Sequence, residues 1–180
     1  MNINTFTSNF DGGARSNLFK IQITSPAHGA AFPYAGDAIT VYVKSIQLPE
    51  HSLGEIPVNH MGRIYKYPGD RVYNDISLTV LSDHDMKARH FFEAWNEAWN
   101  QHQSNTGKKP DPAAFNCEVN LQQLGRDHTV VRDYKLSRAW CSDVSPVDLS
   151  YDNNDALVEF TATIKYHFFT VTGKGGNLTA

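Results

Sequence analysis

A chain of 180 residues with a formal net charge of −3, 19% charged residues and two cysteines is long enough for one domain with a sizeable core and too short for two. It lacks the basic surplus with which nucleic-acid binders neutralise phosphates, and Cys117 and Cys141, without CxxC spacing, read as core thiols of a reducing compartment rather than a disulfide or metal site. No apolar run approaches the ~20 residues that span a bilayer, and the opening MNINTFTSNFDGG has neither part of a secretory leader, so the expectation is a protein kept in the cytoplasm with no membrane partner.

Residues 1–16 are polar with Phe6 and Phe10 as the large apolar groups, which predicts an arm ordered by a neighbour. A single domain is expected over 17–170, followed by a flexible tail at 171–180 that contains Gly173-Lys174-Gly175-Gly176. Residues 18–24 alternate and place Phe19, Ile21 and Ile23 on one strand face; residues 25–37, with two prolines and two glycines, predict a loop into a second strand from Ala38. In that strand Ile39, Val41 and Val43 share a face while Ile46 and Leu48 fall on the other, so a bulge near Lys44 and Ser45 is expected.

Residues 48–68 form a long connection that carries Leu53, Ile56, Val58, Met61, Ile64, Tyr65 and Tyr67. Such a connection is unusual inside one small domain, and its apolar residues need a surface. Two readings stay open: an Ω-like loop folded on its own domain, or an arm packed on another subunit. Pro68-Gly69-Asp70 reads as a turn, and 76–81 as a strand with Ile76, Leu78 and Val80 on one side. The period then becomes helical over 83–101, where Ala88, Phe91, Phe92, Trp95, Ala98 and Trp99 make one aromatic stripe that a sheet would bury, and Arg89 and Glu93 lie four apart on the wet side. Phe115, Cys117, Val119 and Leu121 alternate as a strand, Gly125-Arg126-Asp127-His128 is a turn, and 130–141 reads as a long strand with Tyr134, Leu136 and Trp140 on one face. Asp152-Asn153-Asn154-Asp155 is another turn. The longest alternation runs over 157–169, with Val158, Phe160, Ala162, Ile164, Tyr166 and Phe168 on one side. The sum is a mainly β domain, a sandwich or barrel of antiparallel sheets with a covering α-helix and no internal repeat.

Catalytic chemistry finds little support. Asp83, His84, Asp85 and His90 look like metal ligands, but a helix starting near Asp85 separates them, which favours capping acids and solvated histidines over a small metal-dependent hydrolase. Thr106-Gly107-Lys108-Lys109 and the glycine-rich tail do not join a strand to a helix as a phosphate loop must, and no serine or cysteine sits in a nucleophile elbow. No catalytic residue, metal or cofactor is expected.

A family resemblance runs through Arg15-Ser16-Asn17-Leu18-Phe19, Ser45-Ile46-Gln47-Leu48-Pro49, Gly62 and Arg63, Pro68-Gly69-Asp70, Asp75-Ile76-Ser77-Leu78-Thr79-Val80-Leu81, Arg89, Phe92-Glu93-Ala94-Trp95 and Ser150-Tyr151-Asp152-Asn153-Asn154. In order and spacing these are similar to the tail tube proteins of contractile-tailed, T-even-like bacteriophages. The resemblance implies two packed antiparallel sheets with one helix, homohexameric rings that stack into a hollow tube in the virion tail, assembly in the host cytoplasm, and no enzymatic activity. It implies self, the tail sheath, baseplate and tail-terminator proteins as partners, with viral DNA passing through the lumen without specific binding. It gives residues 48–68 the role of an arm on a neighbouring subunit and the N-terminal arm a part in ring stacking. Its rivals are the tube of a phage-tail-like bacteriocin or of a secretion or injection system, and a tube-initiating baseplate protein.

Overall fold

The computed structural model describes residues 2–10, 13–24, 37–107, 117–152 and 154–178. The loop expected at 25–37 lies almost wholly outside them, as do Phe115 and Asn116 of the strand expected there. The described residues form ten strands, β1 (Phe19–Ile23), β2 (Val43–Ile46), β3 (His51–His60), β4 (Arg63–Tyr73), β5 (Ile76–Leu81), β6 (Val119–Leu124), β7 (Val130–Ser137), β8 (Trp140–Val144), β9 (Glu159–Lys165) and β10 (Phe168–Gly173), with helix α1 (Ile3–Phe10) ahead of β1 and helix α2 (Lys87–Glu97) between β5 and β6. Sheet 1 has the order β1-β6-β7-β10, sheet 2 the order β2-β5-β9-β8, and β3 pairs with β4 alone, all antiparallel.

Alternation dictates the core. Across sheet 2, Ile76, Leu78 and Val80 stand opposite Ile164, Ala162 and Phe160, all buried, while Ser77 and Thr79 pair with Thr163 and Thr161 on the outer face. Across sheet 1, Ile21 and Ile23 stand opposite Leu121 and Val119 in the same way. The register shift between Val43 and Ser45 supplies the irregularity that the change of apolar parity in β2 requires. Before it, residues expected as strand form a 3₁₀ helix, Asp37–Tyr42, which buries Ile39 and leaves Val41 exposed. Thr40 fixes it, since its hydroxyl donates to the Ile21 carbonyl and accepts from the Ile21 N–H.

The two long strands expected at 130–141 and 157–169 are each broken by a corner. Chain leaving β7 in sheet 1 passes Arg138, at φ +55°, and enters β8 in sheet 2. Chain leaving β9 in sheet 2 passes Tyr166 and His167 and enters β10 in sheet 1. Because β7 pairs with β10 and β8 with β9, the two segments form one antiparallel ribbon bent across both sheets, closed at the bend by the His167 N–H donating to the Ser137 carbonyl at 3.2 Å. The bend flips parity: Tyr166 is buried, Phe168 exposed, and Phe169 packs on the core instead. On the other arm Leu136 and Cys141 are buried and Trp140 is only half so.

Helix α2 is shorter than the expected 83–101. Met86 sits at φ +55°, and the Asp83 carboxylate accepts the Ala88 N–H at 3.0 Å, satisfying a free donor of the first turn from outside the helix. Ala88, Phe91, Phe92 and Trp95 are buried at helical spacing, with Phe92 edge-on to Phe160 at 5.9 Å. Arg89 lies 5.5 Å over the Phe160 ring and also donates to Glu93 and to the Ser145 carbonyl. Trp99, beyond the last helical residue, is half-buried. At the C-terminus, the glycine-rich stretch expected to be flexible makes a turn, the Gly176 N–H donating to the Gly173 carbonyl at 3.1 Å, and brings Leu178 back onto Val171. A Cβ at Gly173 would lie 2.4 Å from the Val131 carbonyl oxygen, which is why that position is bare.

Two stability outcomes follow from the core. Trp95→Ala is expected to cost about 3–5 kcal/mol and to lower Tm by roughly 10 °C or more, whereas Trp95→Phe loses far less, because the buried indole N–H has no hydrogen-bond partner among the described residues; thermal melts read both, and an unchanged melt for the alanine variant would show that the stripe is not core. Burial pushes the Cys117 and Cys141 thiols up to about 12 from 9.0. Folded thiols therefore stay protonated where unfolded ones ionise, so their contribution to stability is complete below pH about 9 and is lost as pH rises toward 12. Melts between pH 8 and 11 should fall, and a Cys117→Ala, Cys141→Ala chain should fall less steeply.

Candidate assembly surfaces

The residues between β2 and β5 do not form an Ω-like loop folded on its own domain. They are the β3–β4 hairpin, turned at Met61 and Gly62 with φ +48° and +78°, the pair of positive angles that a two-residue turn between twisted strands requires. Pro68-Gly69-Asp70, expected as a turn, instead holds the bulge at which the register shifts between Leu53 and Glu55. Gly54 and Gly69 approach closely there, and a Cβ on either would meet the other strand's backbone at 3.2–3.3 Å.

Register separates the hairpin's faces. Ile56 stands opposite Tyr67, Val58 opposite Tyr65 and His60 opposite Arg63, so one face is an apolar patch ending in a cation beside the turn. The other face carries Glu55, Pro57, Lys66, Pro68, Asn59 and Ile64, with Lys66 paired to Glu55 at 2.9 Å. Every residue from 51 to 73 is exposed except Gly69 and Tyr73. Only the base is held: Tyr73 packs at 5.6 Å on Phe169 and 6.0 Å on Tyr166, His51 packs at 5.5 Å on Phe169, and the Tyr166 hydroxyl donates to the Glu50 carbonyl. Burial pushes the Tyr166 phenol up to about 12, so it remains a donor throughout the neutral range. A two-stranded ribbon wet on both faces is marginal in water, and Leu53, Ile56, Val58, Met61, Ile64, Tyr65 and Tyr67 are all among its exposed residues.

A second exposed apolar surface is α1. Ile3, Phe6 and Phe10 share a helical face and are exposed, with the Phe6 and Phe10 rings stacked at 5.0 Å. Eight residues are too few for a stable isolated helix in water, and α1 lies within the 1–16 segment expected as an arm ordered by a neighbour. The residues considered for a metal do other things: Asp83 caps α2, Asp85 pairs with Lys87, and His84 and His90 are exposed. Among the described residues no three His, Cys, Asp or Glu side chains are grouped to hold a metal ion, and no helix is long and apolar enough to cross a membrane.

A third surface was read in the sequence only as the turn at Asp152-Asn153-Asn154-Asp155 and as part of the family resemblance. Residues 145–158, between β8 and β9, expose Leu149, Tyr151 and Leu157. Its signal in the sequence is electrostatic: from Ala139 to Ile164 there are five acidic residues and no Lys, Arg or His.

Residues 14–172 match the family described as phage tail tube protein. The chain belongs to that family. Tail tube protein gp19 of Enterobacteria phage T4 and its counterpart in phage T6 are each 30% identical to it over 173 residues, which is 94% of this chain and 99% of theirs. A chain in the cryo-EM structure of the sheath–tube complex of the extracellular contractile injection system PVC, in its extended state, shares the fold with a TM-score of 0.64 at 9% identity, over 96% of this chain and 99% of that one. The tail tube match takes in both sheets, α2 and the hairpin, and leaves α1 outside. Membership makes this a phage tail tube protein.

Proposed function

We propose that this tail tube protein is a non-enzymatic, self-assembling conduit: hexameric rings that stack into a hollow tube within a contractile sheath, through which the viral genome passes without being bound. The observation that carries this reading is the β3–β4 hairpin, an apolar ribbon anchored at its base and solvated on both faces in the isolated chain. Such a ribbon gains stability by packing on a neighbouring subunit, and α1, with Phe6 and Phe10 outward, has the same need and is assigned to contacts between rings. The mild acidity of the chain suits a passage for DNA, because attraction to phosphates would hold the cargo in place. Tail sheath, baseplate and tail-terminator proteins are the expected partners, and assembly is expected in the host cytoplasm.

Negative-stain electron microscopy of the purified chain over a range of concentrations tests the proposal. Rings or hollow tubes are expected, and a chain that remains monomeric at every concentration would overturn it. Replacing Ile56 and Tyr67 together by serine should leave the melting temperature within a few degrees of the unaltered chain and abolish polymerisation. Normal tubes from that variant would remove the hairpin from the assembly contacts.

A further inference from the structure

The hairpin's apolar face is bounded by a cation. Arg63 lies at its turn end, on the side shared by Ile56, Val58, Tyr65 and Tyr67, and forms no ion pair among the described residues. A surface that complements this face must offer apolar groups together with negative charge. Residues 145–158 do so: Leu149, Tyr151 and Leu157 are 83%, 104% and 75% exposed, and Asp148, Asp152 and Asp155 form no ion pair among the described residues. The two surfaces cannot be serving each other within one chain, since both are exposed in it.

We propose that the Ile56/Tyr67 face of the hairpin docks on the 145–158 loop of a second copy, with Arg63 seated among its carboxylates. The inference rests on the conduit reading and names the counterpart of its arm. Hairpin and loop are different patches, so the contact is heterologous: each copy offers a hairpin to one neighbour and a loop to another, and the contact propagates rather than closing a two-fold dimer. Aromatic and aliphatic groups supply the buried area, and the charges select the partner and its orientation.

The test uses the full chain with polymer measured by sedimentation and negative stain, and with a thermal melt confirming that every variant folds. Arg63→Glu alone, and Asp152→Lys with Asp155→Lys, are each expected to raise the concentration needed for polymerisation by about tenfold or more. Mixing the two altered chains should restore tubes near the unaltered concentration, because the reversed hairpin then meets the reversed loop and each normal hairpin meets a normal loop. A single chain carrying all three changes should recover likewise. Polymerisation of the loop variant at the unaltered concentration, or no recovery in both the mixture and the combined chain, would overturn the proposal. Bare tubes that form normally from the loop variant but fail to bind another tail protein would also overturn it and assign the loop to that protein. These failures leave the conduit reading in place, whereas an unaltered chain that stays monomeric sinks both.

Discussion

Both sheets depend on the bend in one ribbon. The segments 130–144 and 159–173 each start in one sheet and finish in the other, paired to each other along the way, so neither sheet is complete without chain that also belongs to its neighbour. The bend needs a residue at positive φ, which Arg138 supplies, and a hydrogen bond across the corner from His167 to Ser137. It also changes which side chains face inward, taking Leu136 and Phe169 to the core from one sheet and Cys141 and Tyr166 from the other. Two sheets tied in this way share one core, and α2 completes it by laying Phe92 against Phe160.

The same ribbon positions the hairpin. Tyr166 and Phe169 stand on either side of the corner, and it is on their rings that Tyr73 and His51 rest at the hairpin's base. Beyond that anchorage the strands run free of the domain, so the hairpin has a fixed origin and a solvated shaft. A fixed origin reduces the conformational freedom lost on docking, while the solvated shaft leaves apolar area still to be buried. The combination suits the proposed assembly, in which the hairpin docks where a neighbouring copy supplies a surface.

Much of this was legible in the sequence, and the parts that were not share a physical cause. Period-two alternation located β1, β5 and β9 with their inward residues, because each has one buried face over its whole length. Helical spacing gave α2 its buried face of Phe91, Phe92 and Trp95, but not its start, which is set by the positive φ of Met86 and the reach of the Asp83 carboxylate. The corners at 138 and 167 escaped notice because apolar residues are plentiful on both sides of them, so alternation read straight through a change of sheet. The hairpin was read as irregular because β3 and β4 bury neither face in the single chain, and without burial there is no alternation to find. Its turn lay at Met61-Gly62 rather than at the more turn-like Pro68-Gly69-Asp70, where glycine serves a close backbone approach instead. The 145–158 loop showed in the sequence as the turn at Asp152-Asn153-Asn154-Asp155 and as a charge signature, which says what a surface repels and attracts but not whether its apolar groups are exposed.

An exposed two-stranded sheet also has two open edges, and the natural hazard is ladder extension into disordered aggregates. Pro57 lies in β3 and Pro68 in β4, and each removes a backbone donor from its strand. The bulge at Gly54 and Gly69 bends the ribbon between them and the base, which further spoils it as a flat template. Edge-on addition is therefore blunted while the Ile56/Tyr67 face is left uncovered, and contact through a face is selected over contact through an edge. Face contact depends on side-chain shape and charge, whereas a backbone ladder accepts almost any strand. In the proposed assembly, that difference lets a chain with so much exposed apolar ribbon select one surface rather than any surface.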